Sequence, residues 1–253
     1  MTRRAKIILL SVLGVIVLGV GAIYAYILWI RDDAPPALTS EDLDEALAGD
    51  TTLPAEGSAT SPAPTGDDPA PAATTGDESG DPSGTWAITS DSTVGYRVSE
   101  VLFGVDTEGA GRTNQVTGSL VIDGTTATSG EFSVDMATVT SDDGRRDGQF
   151  RGRIMSVDQF PTATFTLTQP VDFGTVPTEG QTLTATATGD LTLRGVTNSV
   201  TFDVEAKLEG GRIGVLGNIP IKFSDYDIPD PSNQAATVKD DGLLEFVLVF
   251  DRA

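Results

Sequence analysis

Residues 183–193 read LTATATGDLTL, and their strict two-residue period limits what this chain can become more than any other feature. Leu183, Ala185, Ala187, Gly189, Leu191 and Leu193 fall on one side, and Thr184, Thr186, Thr188, Asp190 and Thr192 on the other. Such alternation fits a half-buried strand, because a helix cannot gather every second residue on one face. RGVTN then turns the chain, and SVTFDVEAKLE repeats the pattern with Val200, Phe202, Val204, Ala206 and Leu208 inward. Asp203, Glu205, Lys207 and Glu209 point outward. Similar runs near 86–98, 116–122, 131–139, 163–169, 212–223 and 243–251 bring the expectation to eight antiparallel strands, most joined by short turns.

Eight such strands make either a sandwich or a closed up-and-down barrel. Strands of up to eleven residues are long for a sandwich of this size. Eight is also the strand number at which a barrel interior is either filled by side chains or left holding one small ligand. Ala163, Ala185, Ala187, Gly189 and Ala206 are small enough to leave a lumen partly empty. Phe165 and Phe202 are large enough to fill it. The pattern favours a hollow barrel and leaves a filled one open.

The strands start near Trp86. Residues 7–30, IILLSVLGVIVLGVGAIYAYILWI, are 24 residues without a charge. As a helix they reach roughly 36 Å, enough to cross a bilayer with some tilt. Arg3, Arg4 and Lys6 precede the stretch and Asp32 and Asp33 follow it, so residues 1–6 are expected in the cytoplasm and the remainder outside. The stretch is too long for a cleavable h-region and ends in bulky residues, which makes it a signal anchor. Residues 31–84 then read as a disordered acidic linker. Positions 32–84 hold eight prolines, thirteen acidic residues and no Lys or Arg. Such a segment repels itself and has little to bury. SEDLDEALAG within it is long enough for one or two helical turns, which are not stable alone.

Residues 145–165, RRDGQFRGRIMSVDQFPTATF, break the alternation and hold four arginines beside three phenylalanines. A nucleic-acid patch is excluded on charge: the formal net charge is −21, and phosphate binding needs a basic footprint. On a helical wheel Phe150, Ile154 and Val157 share one stripe, flanked by Arg146 and Arg153 on one side and Asp147 and Asp158 on the other. Gly148 and Gly152 weaken that helix by about 1 kcal/mol each, so packing must hold it. A short amphipathic helix between two barrel strands is expected to cover a barrel end. Either its apolar stripe points into the lumen with arginines at the rim, or it is an ordinary core-covering helix.

Little in the chain suits catalysis. It has no Cys and no His, which removes thiolate nucleophiles, imidazole bases and zinc sites built on those ligands. Asp225, Asp227 and Asp230 in SDYDIPD invite a calcium loop, but an EF-hand counted from Asp225 would need Gly and Glu where Asp230 and Ala236 stand. The stretch reads as a turn, as do Asp142–Asp143 and Asp240–Asp241 beside glycines. No catalytic residue, metal or cofactor is expected.

Two stretches in order, RRDGQFRGRIMSVDQFPTATF and TATGDLTLRGVTNSVTFDVEA, resemble the YceI-like family of lipid- and polyisoprenoid-binding domains. The match rests on Arg146, Asp147, Phe160, Pro161 and Phe165, and on Gly189, Leu191, Thr192, Gly195 and Thr197. TWAITSDSTVGYRV resembles the family's opening strands, and Phe246 to Phe250 its closing one. Many members carry a histidine after the second strand, where this chain reads VSEVLFG. The resemblance covers residues 85–253 and implies a lipocalin-like antiparallel barrel, closed partly by a helix. It implies binding of a polyisoprenoid or other long-chain amphiphilic lipid without catalysis. The residues expected to meet that lipid are Phe103, Phe132, Met136, Phe150, Ile154, Phe160, Phe165, Ala185, Ala187 and Phe202. The competing expectation is a filled barrel acting as a structural or interaction domain of the cell envelope.

Overall fold

Cross-strand register carries the sequence alternation into space: Phe202 lies opposite Ala187, Phe165 opposite Leu191, and Phe132 opposite Phe165. Directly opposed residues share a face, so one apolar parity runs continuously from strand to strand. The computed structural model describes residues 11–22, 25, 34–49, 81–233 and 236–253. Its strands are β1 (Gly84–Ile88), β2 (Thr93–Leu102), β3 (Val105–Thr113), β4 (Val116–Asp123), β5 (Thr126–Asp135), β6 (Thr140–Ser141), β7 (Thr162–Leu167), β8 (Val171–Asp172), β9 (Thr182–Leu193), β10 (Val196–Glu209), β11 (Arg212–Lys222), β12 (Ala236–Val238) and β13 (Asp241–Arg252).

All pairings are antiparallel. The ring β1-β4-β5-β7-β9-β10-β11-β13 closes because β13 also pairs with β1, which makes an eight-stranded barrel. β2 and β3 form a hairpin inserted between the paired strands β1 and β4, and β13 spans both pairs, meeting β2 through its first residues and β1 through its last. The expected first strand, 86–98, is therefore broken. Buried Ser92 stands at the break, where its hydroxyl accepts from the Val249 amide at 2.9 Å and donates to the Val249 carbonyl at 3.2 Å. A side chain thus does the work of a missing ladder bond. The strand expected at 131–139 begins earlier and ends at Asp135, whose carboxylate accepts from the Ala137 amide at 2.9 Å and starts a 3-10 turn. β3 was not expected from the sequence.

Two units divide the chain, Met1–Pro35 and Pro36–Ala253. In the first, residues 11–22 form helix α1, with Val12, Leu13, Val15, Ile16, Val17, Leu18 and Val20 exposed. Among the described residues no helix is long and apolar enough to cross a membrane. Most of the expected anchor at 7–30 outside α1, and residues 50–80 of the expected linker, lie outside the described residues.

One expectation is corrected in the second unit. Residues 36–49 are not a solvated tether. Ser40–Ala48 form helix α2, and Leu38, Leu43 and Leu47 are buried against Leu216, Val247 and Val249 on the outer wall of β11 and β13. The Thr39 amide donates to Asp42 Oδ2 at 2.7 Å, and Gly49 ends the helix with φ 70°. A nine-residue helix is marginal by itself, so its stability comes from the apolar face it lays on the barrel.

Candidate functional site

The inward side chains of the strands form an apolar interior, and their sizes decide its shape. A Cβ on Gly189 would lie 2.3 Å from the Phe165 ring, so glycine there makes room for the phenyl group across the strand. The rings of Phe132 and Phe165 stack at 6.3 Å between centroids, and Phe165 meets Phe202 edge-on at 5.5 Å. Phe202 in turn meets Phe246 edge-on at 6.0 Å. These phenyl groups form a row across the interior. Ala185, Phe165, Val200, Val215, Leu244 and Phe246 pack on the interior cluster yet remain half-buried. A fully packed barrel would bury inward residues at mid-strand completely, as it does Ala187, Leu191 and Val204. The inward side chains therefore differ in burial: some are completely covered and others stay half-buried.

The lid follows β6. Helix α3 (Gly144–Gln149) is capped by Asp143, whose Oδ1 accepts from the Arg145 amide at 2.8 Å. It continues into a π-helical turn at Phe150–Ile154, with the Met155 amide donating to the Phe150 carbonyl at 2.8 Å. The wider turn shifts the later residues out of the α-helical wheel. Phe150, Met155 and Val157 are buried, while Ile154 is half-buried against the same cluster. Asp147 is buried too: Oδ1 accepts from the Ser141 amide at 2.9 Å and from its hydroxyl at 2.7 Å, tying α3 to β6. Arg153 stays exposed and donates to the carbonyls of Asp230 at 2.6 Å and Pro231 at 3.0 Å. Arg146 pairs with Asp142 and, at 3.5 Å, with Glu100.

Of the residues expected to meet a lipid, Phe132, Met136, Phe150, Ile154, Phe165, Ala185, Ala187 and Phe202 belong to or pack on this interior. Two do not. Phe103 occupies the β2–β3 turn with φ 50° and is 48% exposed, because a residue at a tight turn points away from both faces. Phe160 covers Gly195 in the β9–β10 turn, with the Arg194 guanidinium 5.8 Å from its ring centre. It braces the barrel rim rather than lining the lumen.

Four interior residues escaped sequence reasoning. Tyr96 stacks on Phe150 at 5.0 Å, and burial pushes its phenol up to about 12. The alternation Val94, Tyr96, Val98 carried the signal. Phe223 and Tyr226, with Ile228 after them, close the same end from a 3-10 turn (Phe223–Tyr226) and are buried. In sequence the acidic residues around them look like an exposed turn. Among the described residues no cluster of three or more acidic, His or Cys side chains could hold a metal.

Residues 86–250 match the family model described as the YceI-like domain. A UPF0312 protein of Vibrio parahaemolyticus is 32% identical over 103 residues, and one of Vibrio vulnificus is 33% identical over the same length. Each alignment takes in 38% of this chain and 51% of the relative, so the chain spans about half the length of these curated relatives. Two solved structures share the fold. A polyisoprenoid binding domain from Saccharophagus degradans implicated in plant cell wall breakdown superposes with a TM-score of 0.54 at 17% identity, covering 67% of this chain and 98% of its own. Burkholderia cenocepacia BcnA gives 0.50 at 24% identity, covering 64% and 98%.

Proposed function

Because the chain belongs to the YceI-like domain family, we propose that its barrel binds a polyisoprenoid or similar long-chain amphiphilic lipid. We further propose that it does so outside the cytoplasm, tethered to the membrane through residues 7–30, as a carrier or buffer without catalysis. One observation carries the binding reading: Phe165, Val200, Ala185 and Phe246 pack on the interior cluster yet stay half-buried. An apolar wall left only half-covered suits a hydrocarbon chain, which gains about 0.8 kcal/mol per methylene removed from water. Two further points support it. The Saccharophagus degradans domain of like fold is a polyisoprenoid binding domain. The asymmetry of Arg3, Arg4 and Lys6 against Asp32 and Asp33 supports the tether and its orientation.

Organic extraction of the full chain purified from membranes, followed by mass spectrometry, tests the reading. A stoichiometric long-chain lipid is the expected result. An interior that yields none, from a chain folded and capable of excluding water, favours the filled structural barrel instead.

A further inference from the structure

We propose that the Tyr226 hydroxyl is the interior hydrogen-bonding group for the head of the bound lipid, and that the barrel selects a lipid ending in a neutral oxygen, a hydroxyl or a carbonyl. The proposal deepens the reading of the barrel as a lipid binder and rests on it.

Tyr226 is 2% exposed and belongs to the interior cluster. Its hydroxyl is buried and reaches no hydrogen-bond partner; among the described residues, no other member of that cluster leaves a buried side-chain oxygen or nitrogen unpaired. Such a group costs stability, because it gives up water and gains nothing in return. Phenylalanine would fill the same space without that cost. The oxygen is therefore explained by a partner from outside the chain.

Its surroundings say where that partner lies. The 3-10 turn Phe223–Tyr226 packs on β10 and β11 at the lid end of the barrel. Asn198 of β10 holds this turn, its Nδ2 donating to the Asp225 carbonyl at 2.7 Å. By strand parity Asn198 shares the inward face with Val196, Val200 and Phe202, and both valines beside it are only half-buried. Four residues along a strand separate Asn198 from Phe202, about 13 Å. A head at Tyr226 would thus lie at the lid end, with its tail running past Val200 to the row of phenyl groups.

Charge decides the kind of head. Burial holds the phenol above its ordinary value, so at neutral pH it is a protonated donor. The Asn198 amide beside it opposes that rise without making a bond of proper geometry, and the Asp225 charge adds to it. That same carboxylate would repel a phosphate. The nearby arginines are turned to other work: Arg194 donates to the Asp227 carbonyl and lies over the Phe160 ring, and Arg153 donates to the carbonyls of Asp230 and Pro231. Arg194 Nε is unpaired too, but it belongs to the turn at the rim and carries the one competing prospect, an anionic head. An uncharged oxygen meets the phenol without that repulsion.

The test is Tyr226→Phe in the full chain, in detergent, with three radiolabelled ligands: geranylgeraniol, its monophosphate and the hydrocarbon of the same chain. Bound ligand is counted after gel filtration across a concentration series. The unsubstituted chain should bind the alcohol more tightly than the other two. Tyr226→Phe should weaken the alcohol about fivefold and leave the hydrocarbon unchanged, the effect of losing one hydrogen bond. Its ligand-free melting temperature should equal or exceed that of the unsubstituted chain, since the hydroxyl has no partner to lose. A lower melting temperature would show that the hydroxyl holds only a structural water, and overturns the proposal. Equal weakening of alcohol and hydrocarbon, no weakening of either, or tighter binding of the monophosphate overturns it as well. If the unsubstituted chain binds none of the three, the lipid-binding reading itself fails, a result distinct from the loss of head selectivity.

Discussion

The rings of Tyr96 and Phe150 lie 5.0 Å apart between centroids with planes 8° from parallel, joining the barrel wall to its lid. The helical wheel left open whether Phe150 faces a lumen or covers a core; in the structure it belongs to the interior cluster and its ring lies against that of Tyr96. Phe150→Asp would bury a charge against this ring, so it reports on folding before it reports on binding.

Phe150→Leu and Tyr96→Leu should each lower unfolding free energy by about 1–2 kcal/mol. The double variant should cost less than the sum, with a coupling of about 0.5–1.5 kcal/mol for a stacked pair. Urea unfolding of the four proteins in the cycle measures it. Strict additivity would show that the lid is held by other contacts.

Alkaline pH should loosen the same joint. Burial raises the Tyr96 phenol to about 12 from 10.0, and the charges of Asp147, Asp142 and Glu100 add to that against the opposing pull of Arg146. The folded chain then keeps the proton that the unfolded chain releases. The stabilisation is complete below pH 10 and is lost as pH rises toward about 12. Tyr96→Phe has no proton to lose, so its melting temperature should fall less than that of the unsubstituted chain across this window. Parallel melting curves would refute the placement of Tyr96.

Residues 36–49 should matter to the barrel's stability. Leu43 is 1% exposed, and burying three leucines contributes about 5 kcal/mol before the entropy of ordering the helix is subtracted. A chain starting at residue 81 should therefore melt measurably below one starting at 36. The sequence expectation was a tether dispensable for folding, and equal melting temperatures would restore it.

Glu245 is the polar counterpart of those leucines. Its carboxylate is 1% exposed and accepts from Arg112 Nε at 2.9 Å, Arg112 Nη2 at 2.8 Å and Arg97 Nε at 3.3 Å, besides the Leu38 amide. Glu245→Ala takes from Arg112 its carboxylate beneath α2 and leaves Arg97 with Glu108 at 3.0 Å, and should cost about 3 kcal/mol. Glu245→Gln keeps the acceptor and should cost less. Chemical denaturation orders the two, and the reverse order would show that charge contributes nothing here.

β9 and β10 were legible because the sequence alternates without interruption and the register preserves it from Thr182 to Lys207. β3 was not. VDTEGAGRT has Thr107, Gly109 and Gly111 facing the positions where Glu100, Val98 and Tyr96 point, so it lacks the apolar period that marks a strand. Its neighbours supply the bulk. α2 was hidden differently: Leu43 and Leu47 are spaced for one helical face, with Leu38 just ahead of the helix, but they sit among acids, and only Gly214 across the wall reveals that the face has a seat. The lid's position between strands was legible, but the π turn that moves Ile154 off the buried face has no sequence period to announce it.

The interior itself is tested by filling it. Ala185 and Ala187 point the same way from β9, but Ala187 is buried opposite Phe202 while Ala185 is half-buried opposite Val204. The two positions differ in surroundings, not in strand geometry. Ala187→Phe meets a packed neighbour, and overpacking of this kind costs about 1–3 kcal/mol. Ala185→Phe enters the half-open part and should leave the melting temperature close to that of the unsubstituted chain. It should also cut lipid retention at least about tenfold, equivalent to roughly 1.4 kcal/mol, because the ring occupies space a chain would use. Phe103→Ser, at the exposed turn, should alter neither. Retention after organic extraction and thermal melting of the three variants decide the matter. If Ala185→Phe destabilises as much as Ala187→Phe, and no lipid is extracted from any variant or from the unsubstituted chain, the barrel is filled and the carrier reading fails.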